Sequence, residues 1–80
     1  MTKDYVEIGE HFTEALNDVS IDNSFKNAIS GMKNYPHLVE KISAWDEMVW
    51  LCVEEFLNSG QMLGPGQKDH FTRACALLEL

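Results

Sequence analysis

Apolar residues recur along most of this chain at intervals of three and four, the spacing that places side chains on one face of an α-helix. In the first segment Tyr5, Ile8, Phe12, Ala15, Leu16 and Val19 follow this rule and predict a helix over about 4–19. Asp4 with Glu7 three residues later has the spacing of a capping box, Asp replacing the usual Ser or Thr. Phe25, Ala28, Ile29 and Met32 repeat the spacing and predict a second helix over 23–33. Ser20 or Asp22 can satisfy the free N–H groups at its start. Gly31 weakens it by about 1 kcal/mol relative to Ala, and "KNYP" ends it, because a residue preceding proline avoids helical dihedrals.

Pro36 suits the first position of a third helix, where a missing N–H costs nothing. Leu38, Ile42, Trp45, Val49, Cys52 and Phe56 then extend it to Asn58, with Gly60 in the left-handed position beyond its end. This expected helix, 36–58, is the spine. "GQMLGPGQKD" holds three glycines and a proline within seven residues and reads as a loop. A fourth helix over 67–79, beginning near Pro65 or Gln67, turns Phe71, Ala74, Cys75 and Leu78 inward. No stretch alternates with period two, so no sheet is expected. The fold class is all-α: a small four-helix bundle, three to four helices with short connections, forming a single acidic domain over 1–80.

The densest apolar stretch, "AWDEMVWLCVEEFL", contains an unbroken apolar run of only six residues, Met48 to Val53. A membrane helix needs about 20, so no span is expected. The amino terminus lacks the apolar region of a signal peptide, and two cysteines are too few for a disulfide framework. These features predict a complete small protein in the reducing cytoplasm.

Thirteen acidic residues against six basic ones give a net charge of −7. Direct nucleic-acid binding relies on clustered Lys and Arg. Here Lys3, Lys26, Lys33, Lys41, Lys68 and Arg73 are scattered, which argues against it. An acidic balance instead suits solubility or steering toward a basic partner.

Several constellations invite chemical readings and fail on detail. "GPGQK" departs from a phosphate-binding loop: Gln67 separates Gly66 from Lys68, Asp69 replaces the Ser or Thr that binds magnesium, and no strand precedes it. His11 with Glu7, Glu10 and Glu14 has oxygen and imidazole ligands at helical spacing. The Glu-x-x-His pattern of di-iron bundles is missing, and these residues are expected to face water. Cys52 and Cys75 have no metal or redox spacing and fall on inner faces. A Cys75 nucleophile with His37 or His70 is conceivable from sequence, but a buried thiol would be inert. The chain is therefore expected to need no metal or cofactor and not to be an enzyme.

The acidic pattern is more informative. Asp4, Glu7, Glu10, Glu14 and Asp18 are spaced three, three, four and four. At about 100° per residue they share roughly a third of the first helix, opposite its apolar stripe. No base interrupts them between Lys3 and Lys26, although exposed helix faces usually interleave bases that stabilise at i+4. On the third helix, Leu38, Val39, Ile42, Trp45, Val49, Cys52, Val53, Phe56 and Leu57 project to a broad inner face. Glu40, Glu47, Glu54, Glu55 and Asn58 project outward. Leu51 lands among those glutamates, and Trp50 at the edge near Asp46 and Ser43. Trp beside Leu in an acidic field resembles an interface anchor, although a neighbouring helix covering that side would explain it equally.

The function expected is that of a non-enzymatic protein–protein interaction module. It would be a small acidic regulator or inhibitor whose partner is a basic, nucleic-acid-handling protein, held on an acidic helix face as a nucleic-acid mimic would hold it. Asp4, Glu7, Glu10, Glu14, Asp18, Glu47, Trp50, Leu51 and Glu54 are the candidate partner-binding residues. The alternative is an assembly protein that forms a homodimer through the Trp50 and Leu51 side of the long helix.

Overall fold

The computed structural model describes residues 4–34 and 42–79, with four helices and no strand among them: α1 (Tyr5–Ala15), α2 (Asn23–Asn34), α3 (Ile42–Asn58) and α4 (Pro65–Leu78). The fold is all-α, a small four-helix bundle. α1 packs most broadly on α4 and then on α2, while α2 also packs on α3.

α1 begins as its sequence implies. The Asp4 carboxylate accepts the Glu7 backbone N–H at 3.1 Å, satisfying one of the free donors of the first turn. The helix ends at Ala15 rather than Val19. Leu16 donates to the Phe12 carbonyl at 2.9 Å, and the chain then turns through Asp18 at φ 62°. Asn and Asp hold helices poorly and tolerate left-handed dihedrals better than most residues. Val19 therefore reaches the edge of the core from a turn, not from a longer helix.

α1 and α2 approach closely at Gly9. A Cβ there would lie 2.7 Å from Lys33 Cγ and 3.2 Å from the Ile29 carbonyl oxygen. At the start of α2, the backbone carbonyl of Asp22 accepts the N–H groups of Phe25 and Lys26, both at 3.1 Å.

For the third helix, the expected 36–41 segment lies outside the described residues, and the inward placement of Leu38 and Val39 with it. The side chains of Ile42 and Trp45 are likewise outside. Val49, Cys52, Val53 and Phe56 face the core as predicted. Leu57 does not: it is 63% exposed. Among the described residues α3 packs chiefly against α2, and more sparsely than α1 packs on either of its neighbours, so its buried arc is narrower than the apolar pattern implied. The end of α3 follows expectation, with Ser59 donating to the Glu55 and Phe56 carbonyls and Gly60 at φ 78°.

α4 starts at Pro65, the earlier of the two expected starts, with proline in the first turn. The Gln67 side-chain oxygen accepts the Gly64 N–H at 3.2 Å. Two glutamines bind this loop to the turn after α1: Gln61 Nε2 donates to the Ser20 carbonyl at 2.7 Å, and Gln67 Nε2 to the Asn17 carbonyl at 2.9 Å.

The core draws on all four helices. Phe12, fully buried, sits edge-on to Phe25 and to Phe71, with centroid separations of 5.4 and 5.7 Å. Phe71 also meets Phe56 at 5.4 Å. Such edge-to-face pairs are stabilising beyond the area they bury. Among the described residues no polar or charged side chain is buried, and no helix is long and apolar enough to cross a membrane.

Candidate protein-interaction surface

The acidic ladder of α1 is shorter than its spacing implied. Glu7, Glu10 and Glu14 remain on the outer face, Glu10 and Glu14 exposed and Glu7 partly so. Asp4 is occupied as the cap of the helix. Asp18, although exposed, lies past the helix in the left-handed turn and leaves the ladder. Among the described residues, none of Glu7, Glu10 and Glu14 pairs with a Lys or Arg; Glu7 lies 3.7 Å from His11 Nε2.

His11 was expected to face water and instead turns toward α4. Its side chain is 19% exposed, and its Nδ1 lies 3.1 Å from Nδ1 of His70. The rings are 5.3 Å apart between centroids and tilted by 33°. Antiparallel packing of α1 on α4, visible also in the Gln67 to Asn17 bond, brings these histidines together across 59 residues. The pairing has a faint sequence signal, because His11 precedes Phe12 and His70 precedes Phe71, and the two phenylalanines touch. Among the described residues no three His, Cys, Asp or Glu side chains group as metal ligands, so Glu7, Glu10, His11 and Glu14 do not form the cluster their spacing allowed.

Cys75 offers no nucleophile. Its thiol is pushed up to about 11 by burial and then by the Glu79 carboxylate, which keeps it protonated at neutral pH. Burial, followed by Glu55 and Asp22, also raises Cys52. The Nδ1 of His70 is directed at His11, and His37 lies outside the described residues.

α3 presents the second candidate face. Glu47, Trp50, Leu51 and Glu54 occupy successive turns of one side, and with Asp46 they line a shallow concavity. Leu51 is 64% exposed, while Trp50 is half-buried with part of its surface against the core. Glu47 and Glu54 are exposed, and no Lys or Arg pairs with them among the described residues. Trp50 thus has one side on the bundle and one side available, and Leu51 is not covered by another described helix.

Asp46, noted in the sequence only as a neighbour of Trp50, joins two helices. Its Oδ1 accepts the Tyr5 hydroxyl at 2.7 Å, linking the start of α1 to α3. Burial, the hydrogen bond to Asp46 and the charge of that carboxylate, in that order, raise the Tyr5 phenol well above its ordinary range. Sequence reasoning also missed a groove of about 590 Å³ between the end of α3, the following loop and α4. Leu57, Met62, Leu63, Phe71 and Cys75 line it, and Met62 is 92% exposed.

Comparison of the chain with protein families, with curated proteins and with solved structures gives no match.

Proposed function

We propose that the protein is a non-enzymatic interaction module, an acidic regulator or inhibitor that docks a basic segment of a partner protein on the outer face of α3. The observation that supports this reading is Leu51, which is 64% exposed on the same side as half-buried Trp50, flanked one turn away by Glu47 and Glu54. Partly covered aromatic residues make good anchors because little side-chain freedom is left to lose on binding. The flanking carboxylates select a partner whose apolar contact is bordered by Lys or Arg. Surfaces that handle nucleic-acid phosphates have such bases in abundance. Glu7, Glu10 and Glu14 on α1 add to the long-range field that steers a cationic partner. Cys52 and Cys75, both unbridged, fit a reducing compartment such as the cytoplasm.

The exposure of Leu51, together with Met48 at its side, also suits a homodimer. That arrangement sets Glu47 and Glu54 of two copies, each of net charge −7, against one another, and like charges at an interface are costly. A basic partner is the better fit.

Capture from lysate on the immobilised chain tests the reading. Combining Glu47→Lys, Leu51→Ala and Glu54→Lys is expected to abolish capture of a discrete partner with helicity unchanged, whereas reversal of Glu7, Glu10 and Glu14 slows association. Retention of the same partner by the α3 variant refutes the reading. A mass twice that of the chain in sedimentation at micromolar concentration, halved by Trp50→Ala with Leu51→Ala, establishes the homodimer instead.

A further inference from the structure

We propose that His11 and His70 form a chelating site for a divalent transition-metal ion at the seam between α1 and α4. The two Nδ1 atoms lie 3.1 Å apart. With metal–nitrogen bonds of about 2.0–2.1 Å, that separation corresponds to an angle at the metal of roughly 100°, between square-planar and tetrahedral values. Both nitrogens belong to regular helices whose relative position is held by the packing of Phe12 on Phe71. The separation of the two nitrogens is therefore held before an ion arrives.

The second supporting observation is Glu7. Its carboxylate lies 3.7 Å from Nε2 of His11, the nitrogen that faces away from His70. At that distance it makes no hydrogen bond, but its negative charge favours a proton on Nε2 over Nδ1 and thereby a lone pair on Nδ1 directed at His70. A carboxylate behind the ligating ring is the usual support of a metal-bound histidine. In the ion-free pair His70 then donates its Nδ1 proton to His11. On metal binding His70 carries its proton on Nε2 instead, both rings stay neutral, and each Nδ1 gives its lone pair to the ion. The rings rotate out of the hydrogen-bonded line, by about 40° at each nitrogen for such bond lengths, to converge on a point beside it.

The charged groups within a turn of the pair are Glu7, Glu10 and Glu14 on α1 and Lys68, Asp69 and Arg73 on α4. The four carboxylates outnumber the two bases, so the local field favours a dication. His11 and His70 are only half-buried, which leaves room for water to complete the coordination. Two imidazoles select borderline ions such as Ni²⁺ and Zn²⁺ over Mg²⁺ or Ca²⁺. The raised Cys75 thiol does not compete at neutral pH.

The test is titration of the full chain, carrying no polyhistidine tag, with NiCl2 or ZnCl2 at pH 7.5, read by calorimetry and thermal melting. One ion per chain, a Kd in the micromolar range and a rise in Tm of about 5 °C at saturation are expected, with no response to Mg²⁺. His11→Gln and His70→Gln each weaken binding at least tenfold, whereas His37→Gln leaves it unchanged. Should a variant unfold, broadening of ring resonances in the wild-type chain by substoichiometric Ni²⁺ decides: selective loss at His11 and His70 supports the site. Broadening elsewhere, unchanged binding in folded His11→Gln and His70→Gln, or no binding at 1 mM ion overturns it.

Discussion

α1 and α3 carry comparable acidic residues on their outer sides, yet the two helices divide their surfaces differently. α1 separates its residues cleanly. Ile8, Phe12 and Ala15 are fully buried, and the opposite side carries Glu7, Glu10 and Glu14. α3 buries a narrow stripe of Val49, Cys52, Val53 and Phe56, then exposes Met48, Leu51 and Leu57 among Glu47, Glu54 and Glu55. The contrast follows from packing, because α1 lies on both α2 and α4, whereas among the described residues α3 packs chiefly on α2 and over a smaller contact. Acidity by itself is compatible with nothing more than hydration. The coexistence of exposed apolar side chains with unneutralised carboxylates is what singles out α3.

The largest test of this contrast is at the centre of the α1 face. Phe12→Ala removes the ring that touches Phe25 and Phe71, and a loss of about 3–5 kcal/mol in chemical denaturation is expected. A loss below 1 kcal/mol would mean that α1 is not the better-packed helix.

Next in size is the joint between the two helices. Tyr5→Phe removes the hydrogen bond to Asp46, and about 1–2 kcal/mol is expected to be lost at neutral pH, since bonds to charged acceptors are worth more than neutral ones. The phenol is raised in the folded state, so its contribution is complete below the ordinary tyrosine value of about 10 and declines as pH rises beyond it. Stability measured between pH 9 and 11 should fall more steeply for the wild type than for Tyr5→Phe.

A smaller effect is expected at the contact of α1 with α2. Gly9→Ala gains helix propensity of about 1 kcal/mol, but its Cβ meets Lys33 Cγ and the backbone of Ile29 and Lys33. A net loss of about 1 kcal/mol should appear in denaturation midpoints. A net gain would show that the close approach is easily relaxed.

The least effect on stability belongs to the α3 face. Leu51→Ala is expected to change stability by no more than about 0.5 kcal/mol, because the side chain has little of its surface to lose from the core. Thermal melting of Leu51→Ala beside Phe12→Ala would complete the contrast, and a loss approaching that of Phe12→Ala would abolish it.

Period and caps made the helices legible in the sequence. Asp4, Gly60 and Pro65 behave as terminus signals should, and the inward residues of α1, α2 and α4 follow their spacing closely. The end of α1 was hidden because Val19 continues the apolar spacing while Asp18 breaks the backbone, and periodicity weighs only the former. Leu57 was misplaced for a different reason: spacing reveals which residues can be buried, not how wide a neighbour is available to bury them. The candidate site was legible to the same degree. Leu51 and Trp50 stood out from the helical projection alone. The Tyr5–Asp46 bond and the His11–His70 contact span 41 and 59 residues, and they require a helix register that local patterning does not contain.

Gln61 and Gln67, reaching back to the carbonyls of Ser20 and Asn17, join the α1–α2 turn and the α3–α4 loop at one pole of the bundle. The chain between the two glutamines passes through Met62, the most exposed apolar side chain described. A chain severed there is expected to keep α4 against α1 through the contact of Phe12 with Phe71 and through Gln67, which would make the small fragment a part exchangeable for a labelled copy.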